Sequence, residues 1–158
     1  MRMTSAFTNT RVLTTAAIIA VLCGAYGQLP TGSTVVAAQG AAKATTVADS
    51  IYNAEQAKRG QTKYSQACST CHQADLSGSD QAPALVGGDF LDRWDGQSVA
   101  DLADRIRTSM PADDVGSLTT PMSVDIVSYI LQSNGFPAGA EEMKADRTAL
   151  KTVMIKKK

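Results

Sequence analysis

The residues best placed to do chemistry are Cys68, Cys71 and His72, in the run Cys68-Ser69-Thr70-Cys71-His72. Two thiols separated by two residues and followed at once by an imidazole form the pattern that attaches a c-type haem. The spacing has a physical reason. The thiols add across the two vinyl groups on one edge of the porphyrin, and the adjacent imidazole swings beneath the ring to bring one nitrogen to the iron. Thioether bonds then keep the group in place through every redox change. Other chemistries fit less well. A thioredoxin-like redox pair calls for a βαβ setting, and none surrounds residues 68–71. A structural zinc site wants four Cys or His ligands, whereas the pair and its histidine offer only three, with no second cluster. A disulfide between Cys68 and Cys71 would close too short a loop to contribute much.

His72 is the only histidine among 158 residues, so a second imidazole from the same chain is excluded. A thioether is the remaining strong-field partner, and Met/His ligation raises the iron potential and suits electron transfer. Met110, Met122, Met143 and Met154 follow the attachment run. Met110 is the expected ligand. It follows a helical stretch and opens an irregular segment, from which a side chain can approach the opposite face of the ring. Pro111 removes a backbone donor and stiffens φ, which helps aim the thioether. Methionine at a helix end is also a common packing residue, and that is the role expected of Met122 beside Pro121. Met143 and Met154 fall in a charged tail.

The elements that must position these groups read as helical. Ile51 to Ala67 has an apolar side marked by Ile51, Ala54 and Tyr64, with Gly60 and Ala67 on or near it. Residues 76–89 are rich in Gly, Ser, Asp and Pro and read as a loop. Ser98 is a natural N-cap with Asp101 three residues on. The helix it opens turns Val99, Leu102 and Ile106 inward and ends near Ser109, before Pro111. After a second loop, residues 111–120, a further helix runs from Pro121 to Ser133, and Asn134-Gly135 stops it. No strand-like alternation of useful length and no internal repeat occurs.

The N-terminal 38 residues do not read as fold. Arg2 and Arg11 precede an uncharged, largely apolar stretch from Val12 to Ala25, and small residues follow at Val35 to Ala38. That order is a secretory signal peptide, here residues 1–38, and it places the chain in a bacterial periplasm. The apolar run is short for a bilayer span of ~20 residues. Membrane association is therefore expected only if the segment stays uncleaved. The third cysteine, Cys23, would leave with it, and Leu22 stands where a lipoprotein signal needs a small residue. Residues 39–50 read as a flexible lead-in, 51–137 as the domain, and 138–158 as a charged tail with Lys156 to Lys158 as a frayed, solvated end.

Composition agrees. Aromatic residues make up only 5% of the chain, so a compact domain needs a large apolar cofactor to fill its interior. The formal net charge is zero but uneven: ten acids lie between Asp75 and Asp125, against Arg93, Arg105 and Arg107. The tail carries most of the compensating lysines. No basic patch interleaved with aromatics exists, which argues against a nucleic-acid partner. Asp113-Asp114 reads as a solvated loop, not a paired-carboxylate acid/base site.

Taken together, residues 51–137 resemble the small class I c-type cytochromes. The attachment motif lies near the start of the domain. Pro83 follows His72 by eleven residues, and in the family a proline there lends its carbonyl to the other imidazole nitrogen. Gly60-x-x-x-Tyr64 and Tyr129 resemble the family's helix crossing, where glycine admits close approach, and Met110-Pro111 resembles its methionine-ligand loop. The resemblance implies an all-α cytochrome c fold of three to five helices wrapped around one covalent haem c. It also implies a site of Cys68, Cys71, His72, Met110 and Pro83, with Trp94 packed near the haem or its propionates. More narrowly, Trp94-Asp95-Gly96 and the segment from Val127 to Gly139 look like cytochromes that accompany quinoprotein dehydrogenases. The implied activity is single-electron transfer, not catalysis, with a quinoprotein dehydrogenase or a terminal oxidase as redox partner. The rival class is a haem enzyme or gas sensor with an open sixth position, which would want distal acid/base groups that no second histidine can supply. A structural relay subunit of a respiratory assembly is the third.

Overall fold

Asn53 starts the first α-helix of the described residues. Its side-chain oxygen accepts the N–H of Gln56 at 2.9 Å, and α1 runs from Ala54 to Ala67. The computed structural model describes residues 46–157; the expectations for residues 1–38, for 39–45 and for Lys158 lie outside them. The cap moves the helix start three residues beyond Ile51. It also turns Gln56, Ala57, Gly60 and Tyr64 inward and leaves Ala54 exposed, correcting the expected apolar side.

A single turn, α2 (Ser69–His72), follows α1 directly. Next comes α3 (Gly87–Trp94), inside and beyond the segment read as a loop. The Gly87-Gly88 start, poor in helix propensity, hid it. Its stability comes from packing: Phe90 is buried, and Trp94, four residues on, lies over it with ring centroids 6.4 Å apart. The Ser98 capping box opens α4 (Val99–Ser109) with Val99, Leu102 and Ile106 buried, as the sequence predicts. Thr119 caps α5 (Thr120–Ser133), Pro121 sits in its first turn, and Asn134 ends it, with Gly135 at φ 74° supplying the left-handed turn. A last turn, α6, spans Arg147–Leu150. The described residues thus form an all-α fold in which four helices are eight residues or longer; β-structure among them is limited to isolated bridges.

The main packing contact is the crossing of α1 and α5. A Cβ built on Gly60 would overlap the carbonyl oxygen of Asp125, so only glycine lets the two backbones approach this closely. One turn on, Tyr64 and Tyr129 meet with centroids 5.4 Å apart and planes tilted by 55°.

Two segments expected at the periphery are part of the core. Val47 is fully buried in a short 3-10 turn, Val47–Asp49, and its N–H donates to the Met154 carbonyl at 3.0 Å. Residues 46–50 are therefore packed, not a flexible lead-in. The charged tail buries Met143, Leu150, Val153 and Ile155. Its backbone bonds to residues 96–99, with Val99 N–H to Val153 O at 2.9 Å and Ile155 N–H to Gln97 O at 2.8 Å. Lys157, read as part of a frayed end, pairs with Asp92. The four buried side chains together fit no single helical or strand period, and the surrounding charges masked them.

Candidate haem site

Cys68 ends α1: its N–H donates to the Tyr64 carbonyl at 2.8 Å. The chain then coils through α2 and presents Cys68, Cys71 and His72 to one cavity of about 690 Å³, a size typical of small-molecule and cofactor clefts. Pro83, Trp94 and Met110 line the same cavity. Its walls are largely apolar, from Leu85 beside the proline, Leu102 and Ile106 on α4, and Ile126 and Ile130 on α5. All six candidate residues converge here from four places in the chain.

His72 is 8% exposed. Its Nδ1 lies 2.7 Å from the Pro83 carbonyl oxygen. A carbonyl can only accept, so Nδ1 carries the hydrogen, and in the neutral ring Nε2 keeps its lone pair for a metal. The connecting loop is held from several sides. Gly78 N–H donates to His72 O at 3.0 Å, Leu85 N–H to Leu76 O at 2.8 Å, Ser79 Oγ to Cys71 O at 2.8 Å, and Tyr64 OH to Gln73 O at 2.6 Å. Gly78 has φ 77°, and a Cβ there would overlap the Pro83–Ala84 backbone. The sequence signalled Asn134 only as a helix stop. Its side chain also donates to Leu85 O at 2.9 Å and accepts Gly87 N–H at 3.0 Å, tying the end of α5 to the proline loop. Contacts made to distant backbone leave no sequence pattern.

On another wall, Met110 caps α4 in an extended conformation, its N–H donating to Ile106 O at 3.0 Å. Of the four methionines considered, it is the one that lines the cavity. Met122 packs against the core from the first turn of α5, and Met143 is buried beneath Gln56. Trp94 is half-buried. Asp113 and Asp114 are exposed at the cavity edge.

Neither thiol is in a disulfide. Burial, and then the neighbouring Cys71, push the Cys68 thiol up to about 11. Two thiols at one edge, an imidazole with a free nitrogen, a thioether and apolar walls form a donor set that suits an iron porphyrin.

Residues 55–130 match the family model described as cytochrome c oxidase, cbb3-type, subunit III. Among solved structures, the chain is similar to one from Paracoccus pantotrophus, in the crystal structure of the sulfane dehydrogenase SoxCD. That match has 20% identity and a TM-score of 0.44, and it covers 62% of this chain and 52% of that one. The present chain therefore spans about half the length of that relative. No curated protein matches the sequence.

Proposed function

We propose that the chain is a class I c-type cytochrome, a reading that the family match over residues 55–130 supports, and that it shuttles single electrons through one covalently attached haem c. When bound, the haem supplies a one-electron Fe(II)/Fe(III) couple. The observation carrying the proposal is the shared cavity of Cys68, Cys71, His72 and Met110, with the His72 ring tied to Pro83.

Each residue has a distinct task. Cys68 and Cys71 would hold one edge of the porphyrin through thioether bonds, each S–H adding across one vinyl group. His72 would ligate the iron through Nε2, since its Nδ1 is engaged by the Pro83 carbonyl. The Pro83 carbonyl holds the ring orientation and raises the basicity of the ligating nitrogen. Met110, which lines the same cavity, would supply a second protein ligand to the iron. Two protein ligands carried on preformed elements would stay in place in both redox states, which would keep the reorganisation small. Leu102, Ile106, Ile126 and Ile130, which line the cavity, would exclude water from the ring.

The protein works as an electron carrier, not as the catalyst of a substrate reaction. It is exported to the bacterial periplasm by residues 1–38; no described helix is long and apolar enough to cross a membrane. Its partner is another redox protein, a quinoprotein dehydrogenase or a terminal oxidase, and the name of the matched family supports the oxidase side. Contact is through a small, transient interface at the haem edge.

Met110→Ala tests the ligand set. The ferric wild type should show the weak far-red band of thioether-to-iron charge transfer, and the ferrous protein should resist carbon monoxide. The variant should lose the band, bind carbon monoxide readily, and have a lower midpoint potential. An unaltered band in the variant would remove Met110 from the iron.

A further inference from the structure

The described residues include five arginines, and their partners divide them. Arg59 bonds Asp125 at 3.2 Å and Glu142 at 2.8 Å. Arg107 and Arg147 both pair with Asp104, at 3.9 and 2.7 Å. Arg93 and Arg105 form no ion pair with any described residue within the 4.0 Å that defines one. Both of these line the 690 Å³ cavity. Arg93 ends α3 beside Trp94, and Arg105 lies on α4 between the cavity-lining Leu102 and Ile106.

We propose that Arg93 and Arg105 bind the two propionate carboxylates of the haem, fixing that edge of the ring and favouring the reduced iron; the inference rests on the haem reading above. An arginine stem can lie along an apolar wall while its charged head stays at the wet rim, and both residues are exposed while lining the cavity. Guanidinium is the side chain best shaped for a carboxylate, because its parallel N–H groups match the two oxygens. Porphyrin chemistry supplies the complement: with the vinyl edge held by Cys68 and Cys71, the edge bearing two carboxylates points away from α2. The other charged or titratable side chains lining the cavity are Asp113, Asp114 and His72, together with the two thiols. The aspartates repel propionates, so the arginine side is the favourable side for that edge. The electrostatic sign follows. Fe(II) carries one positive charge less than Fe(III), so nearby cations, together with the propionates they neutralise, favour reduction.

The test uses the intact haem protein with Arg93→Gln, Arg105→Gln, the double variant and Arg105→Lys. Haem content per chain, read on denaturing gels, should match wild type in all four, since attachment depends on other residues. The midpoint potential should fall in each glutamine variant and fall furthest in the double. Arg105→Lys, which keeps the charge, should recover most of the loss. Equal potentials in wild type and double variant would overturn the proposal, as would an unchanged potential with slower transfer to a partner, which would make these docking residues. A wild type that carries no covalent haem would overturn the function itself, a result distinct from the other two.

Discussion

His72 donates from Nδ1 to the Pro83 carbonyl across a loop of eleven-residue separation, and Gly78 and Asn134 help to hold that loop. Gly78 takes a left-handed φ where a side chain would strike the Pro83–Ala84 backbone, and Asn134 pins the far end of the loop. Gly60 does the same service for the helices. Gly60→Ala should destabilise the protein by about 1–3 kcal/mol through overpacking, although alanine is the better helix former by ~1 kcal/mol; urea denaturation checks the sign. A stabilised variant would mean that α1 and α5 do not touch at Asp125. Residues at this scale were legible to different degrees. Cys68, Cys71 and His72 fall in one short run, the spacing that would bring two thiols to a porphyrin edge and an imidazole beneath the ring, so local spacing exposed them. Pro83 and Met110 stood out through family resemblance and their setting. Asn134's second role was invisible, because its partners are backbone atoms nearly fifty residues away.

Helix termini account for what could be read at the level of elements. Ser98 Oγ caps α4 by accepting Asp101 N–H at 3.2 Å, while the Asp101 carboxylate accepts Ser98 Oγ–H at 2.7 Å and Ser98 N–H at 3.1 Å. The hydrogen bonds from Ser98 hold the Asp101 carboxyl below the usual carboxylate range. A depressed carboxyl contributes stability that is fully present above its unfolded pKa of about 3.9 and is lost as pH falls through its lower folded value. Ser98→Ala should therefore cost about 1 kcal/mol at neutral pH, and less near about pH 2 where the carboxyl is protonated. Denaturant titrations at the two pH values measure the difference; an equal cost at both would separate the cap from the carboxylate. The caps of α4 and α5 were legible because Ser98 and Asn134 act on their own neighbours. By contrast, α3 opens with two glycines and is stabilised by Phe90 and Trp94 at the core, a tertiary effect that local propensity cannot reveal.

For the molecule as a whole, the last twenty described residues return to close the fold. Gln56 clamps Met143 with reciprocal hydrogen bonds of 2.9 and 2.8 Å, and Ile155 is fully buried while its backbone pairs with Gln97 and Gly96. The domain therefore extends beyond residue 137, the limit of the family resemblance. Ile155→Ala should cost about 2–5 kcal/mol and lower Tm by several degrees in calorimetry; an unchanged Tm would return this segment to the status of a loose tail. The overall helical class was legible from the periodicity of α1, α4 and α5. The closing segment was not, since its apolar residues are spaced for contact with three other regions and not for one regular face. The central claim is that iron porphyrin is bonded to Cys68 and Cys71, and intact-mass measurement of the exported, fully denatured protein tests it most directly. The account predicts a polypeptide heavier than its sequence by one haem, reverting to the bare sequence mass when both cysteines are changed to alanine. A wild-type chain at the bare sequence mass would contradict it.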